Sequence, residues 1–285
     1  MLPTILIASI INSALAWKSP PVLFIDEFSS VHSLNKIVIH LPDNMSNHWV
    51  EWHSNLQIIQ RESGMKQTSF IYQDQNNDYM INDKELQVYV PNDKELDASL
   101  NLFIQIYSGR QRDDHEFWLF DVSSWKTLED IVALMKLMPL DLDDDLYFYS
   151  FEEKEDISIW EFYEIHQSRP RKIFEYGRWN KVSGLLLVPE TKWVRRKDLE
   201  GINLKITTLK EPPYITKLIP IIGGGDEYEF EGLIADFFHN LQNTLNFTCT
   251  ITQPPDGAWG SLQSGGSWNG MVGELYNKRA DIGTI

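Results

Sequence analysis

Between Leu204 and Ile285 the hydrophobic pattern switches repeatedly between a period of two and a period near 3.6, which confines this stretch to sheet strands linked by helices. Leu204, Ile206 and Thr208 alternate with Lys205 and Thr207 as a strand does, and Pro212 and Pro213 follow where a ladder has to stop. From Leu233 onward, Leu233, Ile234, Phe237, Phe238, Leu241 and Leu245 recur at helical spacing, with Asp236, Asn240 and Asn243 on the opposite face. Phe247 to Ile251 reads as a second strand closed by the loop chemistry of Pro254-Pro-Asp-Gly257. Asn269 is placed to cap a helix carrying Met271, Val272, Leu275 and Tyr276, and Asp281 to Ile285 opens another short apolar run. The order strand, helix, strand, helix, strand predicts a mostly parallel α/β sheet with right-handed crossovers and a ligand site at the carboxyl ends of its strands. On that rule the loop after Leu209, with Glu211, Pro213 and Tyr214, faces a cleft.

The whole chain has 285 residues and is 42% hydrophobic, enough for roughly two domains with their own cores. A formal net charge of -16 repels phosphate backbones and anionic surfaces, which argues against a nucleic-acid partner. Residues 1–16 carry a short apolar run, Ile5 to Ile11, then Ala14-Leu-Ala16, the small-x-small pattern of a signal peptide cleaved before Trp17, although no Lys or Arg precedes the run. The alternative is a buried first strand. Asn44-Met-Ser46 and Asn246-Phe-Thr248 are acceptor sequences for N-linked glycans and agree with a secretory route. Cys249 is the only cysteine, so no intrachain disulfide forms and stability rests on packing, to which the 10 Trp residues contribute.

Residues 17–194 read as a mixed α/β domain, with strands expected at Lys36–His40, Leu56–Gln60, Leu102–Ile106, Phe117–Phe120, Leu146–Tyr149 and Ile157–Ile165. A helix is expected where Thr127 and Asp130 resemble a capping box, with Leu128, Ile131, Val132, Met135 and Met138 on one face and Pro139 as its stop. Asp141, Asp143, Asp145 and Glu152 fall at positions of an EF-hand-like loop, but Leu146 stands where the turn needs Gly, and a solvated acidic turn before a strand is the better reading. His32, His40, His48 and His53 match no zinc spacing, so no metal site is expected. No motif of an enzyme or of a cofactor cradle occurs, and Gly223-Gly-Gly225 reads as a hairpin tip in place of a phosphate loop. The polar stretch 195–203 is read as a linker and 204–285 as the next domain.

The blocks Glu211-Pro-Pro-Tyr214, Phe230-Glu-Gly-Leu-Ile-Ala-Asp236, Asp256-Gly-Ala-Trp-Gly260, Trp268-Asn-Gly-Met-Val-Gly-Glu-Leu275 and Ala280-Asp281 resemble, in order and spacing, the first half of the ligand-binding domain of ionotropic glutamate receptors. Arg195-Arg-x-Asp198-Leu-x-Gly201-x-x-Leu204 and Tyr176-Gly-x-Trp179 look like patterns of the variant, chemosensory branch of that family. The resemblance implies a periplasmic-binding-protein-like lobe, part of a ligand-binding domain, preceded by a shortened α/β amino-terminal domain. It further implies a tetrameric cation channel, with other subunits as partners, whose clamshell closes on a small molecule. By the resemblance Glu211 bridges the closed lobes, and Phe230 stands where relatives carry a ligand-stacking Tyr; a solvated carboxylate and a ring packed on the following helix are the other readings of the two. The family's ligand-carboxylate Arg, its membrane helices and its second clamshell segment are expected beyond Ile285, so the chain is read as a truncated receptor portion. It would be extracellular at the plasma membrane, or secreted if it ends there. A secreted solute-binding protein of the periplasmic type is the alternative.

Overall fold

A computed structural model describes residues 22–34, 36–41, 67–72, 85–91, 96–109, 116–123, 125, 127, 129, 131–132, 136, 138–151 and 156–284. The chain divides into two units, Met1–Pro189 and Glu190–Ile285. The first contains α1 (Val22–Val31), β1 (Lys36–Leu41), β2 (Gln67–Tyr72), β3 (Glu85–Tyr89), α2 (Leu96–Gly109), β4 (Glu116–Asp121), β5 (Asp145–Phe151), β6 (Ile157–Tyr163), β7 (Lys172–Asn180) and β8 (Gly184–Leu187). These strands form one 8-stranded sheet in the order β2-β1-β3-β4-β5-β6-β7-β8. Pairing is parallel from β2 to β5 and antiparallel from β5 to β8.

Both faces of this sheet are covered, which explains why β3 is buried at every position. Phe24, Ile25 and Phe28 of α1 pack with Ile37, Ile39, Leu86, Val88 and Leu119 on one face. Leu100, Phe103 and Tyr107 of α2 pack with Tyr89, Trp118, Phe120 and Phe148 on the other. Each ring so buried is worth about 1.5–3 kcal/mol over an exposed one. A chain of polar groups runs within this layer: Lys36 Nζ lies 2.6 Å from Glu85 Oε1, Gln87 Nε2 donates to Glu85 Oε2 at 3.1 Å, and His40 Nε2 lies 2.9 Å from Gln87 Oε1. His40 is also stacked on Trp118, with ring centroids 5.8 Å apart, and burial lowers its pKa from the ordinary 6.5.

The expected strands at Lys36–His40, Phe117–Phe120, Leu146–Tyr149 and Ile157–Ile165 are present, the last ending at Tyr163. Leu102–Ile106 is not a strand; it lies inside α2, whose buried Leu100, Phe103 and Tyr107 recur at i, i+3 and i+7. A 3.6 period over 14 residues outweighs a short apolar run. The expected strand Leu56–Gln60, most of the Thr127 helix, His48, His53, Asn44 and the leader at 1–16 lie outside the described residues.

The second unit contains α3 (Lys192–Arg195), β9 (Ile202–Thr208), β10 (Lys217–Pro220), β11 (Glu227–Glu231), α4 (Leu233–Leu245), β12 (Phe247–Thr252), α5 (Gly270–Tyr276) and β13 (Ile282–Thr284). Its 5-stranded sheet runs β10-β11-β12-β9-β13. β12 and β13 flank β9 in parallel, while β10 and β11 join as an antiparallel hairpin. The sheet is therefore mixed and not mostly parallel, because the hairpin inserts two strands between β9 and α4. Gly223-Gly-Gly225 sits at the tip of that hairpin, as its composition predicts.

Helix α4 forms where the periodicity places it, but its apolar stripe is only partly covered. Phe238 is buried at 5% exposure, whereas Leu233 and Phe237 are 61% and 56% exposed. Phe237 lies about 100° round the helix from Phe238, away from the contact. The lead-in to the unit is fastened to the end of this helix, since Leu199 N donates to Leu245 O at 2.8 Å and Gly201 N to Asn246 O at 2.7 Å. Arg196, in the same lead-in, is buried at 2% exposure.

Candidate ligand-binding site

Parallel strands leave their carboxyl ends free to shape a site, and in the second unit those ends belong to β9, β12 and β13. Thr207 and Thr208 close β9 with no exposed surface. Thr208 Oγ1 donates to Thr284 O at 2.9 Å, tying the two strand ends together. At the opposite end of β13, Lys205 N donates to Asp281 Oδ2 and Asp281 N to Lys205 O, both at 2.8 Å. The sheet edge is thus pinned at both ends.

The loop after β9 is shaped by its own backbone. Glu211 and Ile215 exchange hydrogen bonds, Glu211 N to Ile215 O at 3.0 Å and Ile215 N to Glu211 O at 2.9 Å. Ile215 plugs into the unit with no exposed surface, while Glu211 and Tyr214 remain exposed. This loop is stitched to the turn between β11 and α4: Thr216 N donates to Glu231 O at 2.7 Å and Ile234 N to Tyr214 O at 3.2 Å. Gly232 makes the approach possible, having φ 133 and a position where a Cβ would meet Tyr214 O at 2.3 Å. The structure therefore brings the Glu211 loop and the Phe230 segment together through main-chain contacts.

Phe230 is half-buried on β11, its ring centroid 6.3 Å from that of Phe238 at an interplanar angle of 52°. Packing on the following helix accounts for this position. Lys217 Nζ pairs with Glu231 Oε2 at 2.6 Å on the exposed hairpin next to it. Among the described residues no group of three or more His, Cys, Asp or Glu side chains is arranged to hold a metal.

The block 256–275 contributes a clasp that spacing alone does not reveal. Asp256 Oδ2 accepts from Asn269 Nδ2 at 2.9 Å and from Gly270 N at 3.1 Å, and Asp256 Oδ1 accepts from Ala258 N at 3.1 Å. Asn269 Oδ1 in turn accepts from Ser261 N at 2.7 Å. Asn269 does occupy the N-cap position of α5, but its side chain holds the loop and makes no capping bond to the helix. Gly270, at φ 64, lies where a Cβ would stand 2.4 Å from Ala258 O. The signal for this clasp was the Asp-Gly and Asn-Gly pairing in Asp256-Gly257 and Asn269-Gly270, read only as turn and cap chemistry.

Residues 202–285 match the family model described as "Ligated ion channel L-glutamate- and glycine-binding site". The chain is 36% identical over 113 residues to the human delta-2 ionotropic glutamate receptor, covering 40% of this chain and 11% of that protein. It is 31% identical over 166 residues to the Caenorhabditis elegans kainate receptor glr-3, covering 56% of this chain and 18% of that one. With human kainate receptor 1 the identity is 35% over 111 residues, covering 37% of this chain and 12% of the receptor. The chain thus spans less than a fifth of the length of these curated relatives. A solved ligand-binding domain of a Mnemiopsis leidyi ionotropic glutamate receptor, in complex with D-serine, aligns at 28% identity over 29% of this chain and 33% of that one, with a TM-score of 0.26. Among the described residues no helix is long and apolar enough to cross a membrane. Residues 202–285 are thus similar to part of the ligand-binding domain of ionotropic glutamate receptors.

Proposed function

We propose that the chain is the extracellular portion of a ligand-gated cation channel subunit, of the chemosensory kind, which binds a small molecule in a clamshell cleft and acts beside other subunits. In this reading residues 17–194 form an amino-terminal extracellular domain, 195–203 a linker and 204–285 the first segment of the ligand-binding domain. Glu211 and Phe230 lie on the cleft rim, the first as a carboxylate toward the ligand or the facing lobe, the second as an aromatic wall. The observation that carries the reading is the match of 202–285 to the glutamate- and glycine-binding family, together with the loop 209–216 at the carboxyl end of β9. Ligands bound by relatives in this family are amino acids by the printed description, so polar zwitterions are the first class to test.

The test is current recording from cells expressing the chain within its complete reading frame, against a panel of amino acids and small amines. Glu211→Ala is expected to reduce agonist response more than surface expression, and Phe230→Tyr to retain response where Phe230→Ala loses it. Equal loss of response and of surface expression in Glu211→Ala would assign that residue to folding. A full-length protein that reaches the surface and passes no agonist-dependent current would overturn the channel reading.

A further inference from the structure

The acceptor sequence Asn246-Phe-Thr248 is the motif left unused by the ligand-binding reading. Acceptor sequences recur by chance, and what distinguishes one is whether the folded chain leaves room for a sugar at its asparagine. Asn246 is exposed in the turn between α4 and β12, with φ 54, the left-handed conformation that ends many helices and that Asn tolerates. Its main chain is already committed, N donating to Gln242 O at 2.9 Å and O accepting from Gly201 N at 2.7 Å, so the turn does not depend on its side chain alone. Its Nδ2 donates to Asp198 Oδ1 at 2.8 Å and carries a second hydrogen besides. Thr248, two residues on, is exposed, its hydroxyl accepting from Asn203 Nδ2 at 3.0 Å. Thr250 Oγ1 donates to Asn203 Oδ1 at 2.9 Å, continuing a polar row over this side of the sheet.

We propose that Asn246 carries an N-linked glycan, and that the Asp198, Asn203, Thr248 and Thr250 flank of the second unit is consequently a solvent-facing surface and not a docking face. In the transfer step Nδ2 forms a bond to the anomeric carbon of an oligosaccharide, whose diphosphate-lipid carrier departs with the electrons of the broken C–O bond, and the proton lost from Nδ2 passes to solvent or to that departing diphosphate. The remaining Nδ2 hydrogen keeps the contact to Asp198. The flank has the composition of a wet surface, since Asn203, Lys205 and Thr248 are all exposed on it. Leu233 and Phe237, two of the apolar residues left exposed in this unit, lie on α4 instead. The assignment holds whether or not the protein gates a pore.

The test expresses the full chain in a eukaryotic line and treats it with peptide N-glycosidase, which leaves Asp where a glycan stood, before mass analysis of the peptide spanning 246. Conversion at Asn246 is expected in the wild type and in Thr248→Ser, and is expected to vanish in Thr248→Ala and in Asn246→Gly. Gly adopts the left-handed turn at least as readily as Asn, so Asn246→Gly separates loss of the sugar from loss of the fold. An unmodified Asn246 in chain recovered from the secretory compartment overturns the proposal. So does a chain that never enters that compartment, because the asparagine would not meet the donor.

Discussion

Replacing Asp256 by Ala removes three hydrogen bonds at once, those to Ala258 N, Asn269 Nδ2 and Gly270 N. The carboxylate is exposed, so each bond is worth the lower part of the usual range, roughly 0.5–1 kcal/mol net, and the three together about 2 kcal/mol. The loss falls on a local structure, because Met271 N donates to Ala258 O at 3.0 Å and Val272 N to Trp259 O at 3.2 Å only while the loop is folded back on α5. Amide hydrogen exchange of the full chain measures that opening directly. Met271 and Val272 are expected to exchange about 30-fold faster in Asp256→Ala, the ratio that 2 kcal/mol implies. Asp256→Asn keeps one acceptor oxygen and loses the charge, so it should fall between the two. Asp226→Ala, at the exposed hairpin tip, should leave these amides unchanged. A change below about threefold in Asp256→Ala would refute the view that this carboxylate holds the loop to the helix.

Burial pushes the Cys249 thiol up to about 11, so at pH 8 the reactive thiolate is depleted; alkylation by iodoacetamide should run about 100-fold slower than for a cysteine of ordinary pKa, and recover in denaturant. A free-cysteine rate in the folded chain would contradict that environment. His40 is held below its ordinary value of 6.5 by burial, so folding favours its neutral form. Between the folded and unfolded values the unfolded chain binds more protons, and the stability of the first unit should therefore fall as pH drops below about 6.5. His40→Gln should flatten that part of a denaturation-midpoint profile against pH, and an unchanged slope would assign the titration to other groups.

What could be read before folding was whatever repeats over short distances. β9, α4, β12 and α5 each announce themselves through the period of their apolar residues, and the glycine run 223–225 announces a hairpin tip. The strands of that hairpin escaped the reading because Ile219, Ile221 and Ile222 are exposed and Pro220 interrupts the run, so no buried face alternates there. Leu102–Ile106 was misassigned for the opposite reason: a window of five apolar-rich residues hides the longer period set by Leu100, Phe103 and Tyr107. The candidate site was legible as a set of blocks but not as a structure. Asp256 and Asn269 are far apart in sequence, and only the path of the intervening loop makes them neighbours. Phe230 and Phe238 likewise meet because a turn at Gly232 folds strand onto helix, which residue types alone do not specify.

The attachment of Leu199 and Gly201 to the last residues of α4 has a mechanical corollary. A tug arriving along the polypeptide from residues before 199 is taken up at the rear of that helix, through two amide contacts, before it can load β9. The front of the same helix adjoins the Tyr214 loop through Ile234. One rod of 13 residues therefore has a tether at its heel and the Glu211–Ile215 loop at its toe, so strain applied to either is passed along its axis.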